Sequence, residues 1–189
     1  MLTQRHRPVI GLHRWILQGK MLKFKSYSFV LALLVSSLLL VQGCGEDTTA
    51  QRTAMETAPD FDIALFDGGN FQLSDHRGKV IVINFFASWC VSCGEETPVI
   101  EKIAHEYSPQ TVMFLAIAVD DTEKKAKAFM QKMGLTIPAG LDRTGKIKEA
   151  YGLYGMPTTF FIDKSGKISY LHAGVVTEEL LKHEINKLL

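Results

Sequence analysis

The sequence predicts an α/β domain over residues 59–189. Three observations predict it: two unbroken apolar runs of strand length at residues 80–86 and 111–119, a helical pattern after each, and a late hairpin followed by an amphipathic helix. Each element has its own reason. Pro59 opens a strand over residues 59–65, Asp67-Gly68-Gly69-Asn70 turns, and Phe71-Gln72-Leu73 returns as an N-terminal β-hairpin. Gly78 precedes residues 80–86, which are mostly β-branched and aromatic and therefore suit a buried strand. Residues 95–104 read as helix, and residues 111–119 as a second buried strand. Thr122 caps a helix that runs through Met133 and ends at Gly134. A short helix follows at about residues 146–151. Residues 158–162 and 167–171 flank the turn Lys164-Ser165-Gly166 as an antiparallel pair. Thr177 caps the last helix, where Leu180, Leu181, Ile185 and Leu188 make one apolar stripe.

The chemistry is concentrated in Trp89-Cys90-Val91-Ser92-Cys93, where the first buried strand gives way to a helix. A Cys at the first helical turn sees unpaired backbone N–H groups and the positive end of the helix dipole. Both favour thiolate over thiol, so Cys90 is the expected reactive sulfur. Cys93 lies one turn further in, close enough for the pair to close into a disulfide and reopen. A structural zinc site would need four ligands. The chain has three Cys, and His105 and His172 form no paired motif, so redox chemistry is the better reading and no metal is expected.

The N-terminus indicates where that chemistry takes place. Residues 26–41 are almost entirely apolar and follow Lys23 and Lys25, directly after Met21. At about 16 residues the run is short for a membrane span, which needs about 20, and it has the proportions of a secretory signal. It ends in Val41-Gln42-Gly43-Cys44, which resembles a bacterial lipoprotein box, with Val41 where Leu is commoner. The resemblance implies cleavage before Cys44 and a diacylglycerol on its sulfur. Ordinary cleavage nearby and an uncleaved anchor helix are the alternatives. Residues 1–20 read as an extension upstream of Met21, the better initiator. Residues 1–43 are thus N-terminal extension and signal, and the small, polar residues 44–58 a flexible tether. Lipidation of Cys44 leaves Cys90 and Cys93 as the remaining thiols, and export places them in an oxidising compartment. Gly45 carries no Asp retention signal, so sorting to an outer membrane stays open.

The net charge of +1 hides an asymmetry. Six of the 21 Lys and Arg lie in the first 25 residues, whereas all 20 acidic residues follow residue 45. Past the signal, fifteen basic face twenty acidic side chains, a net of −5 that argues against nucleic acid as a partner. About 145 residues make one domain of ordinary size, and a monomer is the default.

From Ala58 onward the chain resembles the extracytoplasmic thiol-disulfide oxidoreductases of the TlpA/ResA type. The residues that carry this are Trp89-Cys90-Val91-Ser92-Cys93, Pro98 in the following helix, Gly155-Met156-Pro157-Thr158-Thr159-Phe160, and Ala58-Pro59-Asp60-Phe61 with Gly78-Lys79-Val80. The resemblance implies a thioredoxin-like fold, a central mixed sheet flanked by helices, with the hairpin as an N-terminal extension. It implies a cis Pro157 facing the Cys pair, with the backbone of Met156 pairing an extended substrate segment beside Cys90. Trp89 is expected to pack beside the pair and shield it, and Thr158 to hydrogen-bond near the loop. Glu96, three residues after Cys93 on the same helix face, matches a functional Glu of the ResA type and is the candidate proton acceptor for Cys93. Asn84 stands where thioredoxin keeps a buried Asp and cannot titrate. A plain solvated acid is the alternative for Glu96, and the expected one for Glu95.

These residues imply a membrane-tethered reductase of protein disulfides, with the haem-site thiols of apocytochrome c as one candidate substrate. A membrane electron carrier of the DsbD or CcdA kind would recharge it, and no cofactor is expected. A disulfide oxidase or isomerase is the alternative, although no segment is long enough for the helical insertion of DsbA-type oxidases. A thioredoxin-fold copper chaperone is a second alternative, since thiolates suit copper(I) and His172 is the candidate extra ligand. The Trp before Cys90 disfavours the Thr-x-x-Cys setting of peroxiredoxins.

Overall fold

The structure is a computed structural model that describes residues 56–189. The signal segment, Cys44 and the tether up to residue 55 lie outside the described residues. The two apolar runs form the middle of a sheet. β1 (Asp62–Ala64) and β2 (Asn70–Gln72) precede them, and β3 (Val80–Phe86) pairs in parallel with β4 (Val112–Ala118), from Val80 opposite Val112 to Phe86 opposite Ala118. β5 (Ala139–Leu141) adds in parallel to β4, β6 (Thr158–Ile162) runs antiparallel to β3, and β7 (Ile168–Ala173) antiparallel to β6. The mixed sheet has the order β5-β4-β3-β6-β7. β5 carries no strand pattern in the sequence, because it is three residues long with Gly140 at its centre.

β1 and β2 form the predicted antiparallel hairpin, which leans on β5. Phe66 N–H donates to the Ala139 carbonyl at 2.8 Å, and Leu65 bridges Gly140. The approach is close enough to require glycine: a Cβ on Gly140 would sit 2.6 Å from the Ala64 carbonyl oxygen. A 3-10 turn at Leu73–His76, also not predicted, links the hairpin to β3.

Four helices cover the sheet: α1 (Val91–Glu106), α2 (Glu123–Met133), α3 (Lys146–Ala150) and α4 (Glu178–Asn186). The caps are those read from the sequence. Thr122 Oγ1 accepts the Lys125 N–H, Gly134 takes the left-handed conformation after α2, and Thr177 Oγ1 accepts the Leu180 N–H. In α4, Leu181 and Ile185 are buried and Leu180 and Leu188 partly so; Glu184 is also buried, its carboxylate held by Lys187 at 2.8 Å.

The strand period of two divides the core. Val80, Val82 and Phe86 join one apolar cluster with Ile100 and Ile103 of α1 and Leu181 and Ile185 of α4. Ile81, Ile83 and Phe85 join another with Phe61 and Phe71 of the hairpin, Tyr151 and Phe160. Each such buried side chain contributes roughly 1.5–3 kcal/mol from area removed from water. Asn84 falls in the first series, so a polar side chain faces α1 from the middle of the sheet. Among the described residues no helix is long and apolar enough to cross a membrane.

Candidate active site

Cys90 is the N-cap of α1, with extended φ −85° and ψ 110°. Its Sγ accepts the Cys93 N–H at 3.1 Å, so a sulfur does what a Ser or Asp oxygen does at other helix starts. The two cysteines are joined as a disulfide with Cα atoms 5.3 Å apart. Cys90 is 8% exposed and Cys93 1%, so a partner can reach only Cys90 first. Pro98 lies inside α1, where it has no N–H to offer the preceding turn. One residue earlier, Thr97 Oγ1 donates to the Cys93 carbonyl at 2.7 Å.

The loop that presents Cys90 is laced to the loop between β4 and α2. Ser88 N–H and Oγ donate to the Asp121 carboxylate at 2.6 and 3.1 Å. Trp89 Nε1 donates to the Asp120 carbonyl at 3.0 Å. Asp120 takes a left-handed φ of 50°, which Asp tolerates better than most residues, and its carboxylate pairs with Lys148 at α3. These partners fix the position of Trp89. The indole lines the same groove as Cys90 and is 61% exposed. The only sequence signal for this anchorage was an Asp pair directly after a buried strand.

The Met156–Pro157 peptide is cis. The Pro157 carbonyl accepts the Gly174 N–H at 2.9 Å, and Thr158 Oγ1 donates to the Gly155 carbonyl at 2.8 Å. Met156 packs against both apolar clusters, one of which contains Cys90 and Cys93.

Glu96 is 1% exposed, so it is not a solvated acid, whereas Glu95 beside it is exposed. Asn84 Nδ2 donates to Glu96 Oε1 at 2.7 Å, and the Val176 N–H donates to Oε2 at 2.9 Å. Asn84 Nδ2 also donates to Thr159 Oγ1 at 3.0 Å. Burial pushes the Glu96 carboxyl up to about 7, against the pull of the Val176 and Asn84 hydrogen bonds. In the sequence Glu96 was readable from its spacing to Cys93, but its partners were not. Asn84 reads there as a residue that cannot titrate, and here it orients one that can.

His172 Nε2 lies 3.2 Å from the Val175 carbonyl. Among the described residues no group of three or more His, Cys, Asp or Glu could hold a metal ion.

A capped cysteine, a buried partner sulfur and a cis-proline loop are the parts of a thioredoxin-like redox centre. A family model described as Redoxin matches residues 53–189. The chain belongs to the redoxin family. As a redoxin it is 36% identical over 132 residues to the thiol-disulfide oxidoreductase ResA of Geobacillus thermodenitrificans, covering 70% of this chain and 76% of that one. It is 32% identical over 170 residues to ResA of Oceanobacillus iheyensis, covering 87% of this chain and 88% of that one. Among solved structures, the exposed lipoprotein thioredoxin Etrx1 of Streptococcus pneumoniae matches with a TM-score of 0.61 and 31% identity, over 69% of this chain and all of that one. This redoxin is a thiol-disulfide oxidoreductase of the ResA type.

Proposed function

We propose that the protein is a lipid-anchored reductase of protein disulfides on the outer side of a membrane, working through Cys90 and Cys93. The observation that carries the chemistry is the Cys90–Cys93 pair at the start of α1, with Cys93 buried and the buried Glu96 carboxyl one helical turn further on. The Cys90 thiolate attacks a partner disulfide, forming a mixed disulfide and expelling one partner thiolate, which takes a proton from water. Cys93 then gives its proton to Glu96, and the resulting thiolate attacks Cys90 Sγ. That step expels the second partner thiolate and leaves Cys90–Cys93 oxidised. Two electrons pass to the partner, and a thiol donor must return them. Trp89 and Met156 form the surface against which the partner lies, with the Met156 backbone as an extended edge, and the buried Pro157 and Thr158 hold that loop in place.

The anchored location rests on the apolar run and Cys44. A match over 87% of the chain extends well upstream of residue 53, so the Oceanobacillus ResA aligns with part of the proposed signal too. Etrx1 is itself described as an exposed lipoprotein. A membrane carrier of the DsbD or CcdA kind is the proposed electron donor.

The reduction potential of the Cys90–Cys93 couple tests the direction. A value near or below about −220 mV marks a reductant that needs such a donor. A value near about −120 mV marks an oxidant and overturns the reductase reading. Mass spectrometry of the membrane-extracted protein tests the anchor: a diacylglyceryl group on Cys44 is expected, and a protein cleaved elsewhere with a free Cys44 removes it.

A further inference from the structure

A groove of about 610 Å³ lies between the start of α1 and α2, and Cys90 is part of its lining. Ala128, Phe129 and Met133 of α2 line it on one side. Trp89 and Val91 stand at the other, 61% and 79% exposed, two of the few large apolar side chains left open among the described residues. Gly94 brings no side chain into the space between the helices.

The charged members of this groove are mostly cationic. Lys125 and Lys132 lie two helical turns apart on the face of α2 that lines it. Neither ammonium has an acidic partner among the described residues; other lysines are also unpaired, but these two share the lining of the groove with Cys90. Glu95 stands on the α1 side and pairs with neither lysine. Beyond the signal the chain carries a net charge of −5, so two unpaired lysines next to the reactive sulfur are a local reversal of sign.

We infer that this groove docks an extended segment of the disulfide-bearing partner protein, with an apolar side chain against Phe129 and Met133 and carboxylates at Lys125 and Lys132. Unpaired exposed charge steers a partner of opposite sign and fixes its register. Open apolar surface beside it gains from being covered. Substrate choice would then come from this α2 flank, which the cis-proline loop does not contribute to. The inference rests on thiol-disulfide exchange at Cys90, but not on its direction.

The test uses two peptide disulfides that are identical except for Asp-Glu or Lys-Lys next to an apolar residue beside the cysteine. Each reacts with the full-length reduced protein. The acidic peptide is expected to react about tenfold faster at low salt. The preference should collapse in about 0.5 M salt, where screening is strong. The double reversal K125E/K132E should invert the preference. The ratio of the two rates is the readout, since any influence of the lysines on the Cys90 thiolate cancels in it. Equal rates for the two peptides, or a preference that survives both salt and the double reversal, would overturn the inference. The salt series needs no variant and decides the matter if the variant fails to fold. The potential measurement fails or succeeds independently of this ratio.

Discussion

The two faces of the central sheet are built from the same strands and do different work. The face toward the hairpin is closed by apolar packing, aliphatic and aromatic: Ile81, Ile83 and Leu115 lie in it, Phe160 meets Tyr151 edge-on at 5.0 Å and Phe85 at 5.7 Å, and Phe61 meets Tyr151 at 5.8 Å. The face toward α1 is apolar except at its centre, where Asn84, Thr159 and Glu96 form a buried polar chain next to the cysteine pair. Register produces the contrast. Asn84 lies opposite Thr159 across β3 and β6, one residue out of step with Phe85 and Phe160. Shifting one residue along a strand exchanges a structural face for a reactive one.

Substitutions should separate the faces. The largest effect is at the reactive centre: Cys90→Ser is expected to reduce exchange to the uncatalysed background, measured by turbidity of reduced insulin. Next is the hairpin face, where Phe160→Ala should cost about 3–5 kcal/mol in urea unfolding. The comparison predicts that its reduction potential does not move, and a shifted potential would break it. Glu96→Gln sharpens the comparison through pH. Between about pH 4.5 and 7 folded Glu96 keeps a proton that the unfolded chain has lost, so its contribution to stability falls as pH rises through that window. Above pH 7 the Gln variant is expected to be more stable than the parent by at most about 3 kcal/mol, with a flatter stability-pH curve and slower closure of Cys93 onto Cys90. An unchanged closure rate would remove Glu96 from the mechanism. The smallest effect is Tyr151→Phe, which loses the hydrogen bond to the Pro59 carbonyl and should cost about 1 kcal/mol with exchange kinetics intact.

What the sequence made legible follows from how local each signal is. β3 and β4 announce themselves because strands covered on both faces are continuously apolar, and α2 because Thr122 and Gly134 mark its ends. The reactive pair was legible because strand, Cys and helix are adjacent in the chain. β5 was not, since its three residues are a strand only through contacts with β4 and the hairpin. Nor were the partners of Glu96, which come from 12 residues upstream and 80 downstream. The anchorage of Trp89 was hidden for the same reason: its hydrogen-bond acceptor is the Asp120 backbone, 31 residues away. Glu184 shows the converse, a charged residue whose position on the apolar stripe of α4 outweighs its polarity once Lys187 is beside it.

The hydrogen bond from Val176 to Glu96 sets an order of assembly. A chain that is synthesised or exported N-terminus first delivers β3, Cys90 and Cys93 long before Val176 and α4. The sulfurs can be joined by an oxidant at that stage, but the carboxyl beside them still lacks one of its two donors and remains open to water. The sulfurs can therefore be joined in the nascent chain, while the buried setting of the Glu96 carboxyl is completed only by the last segment to emerge.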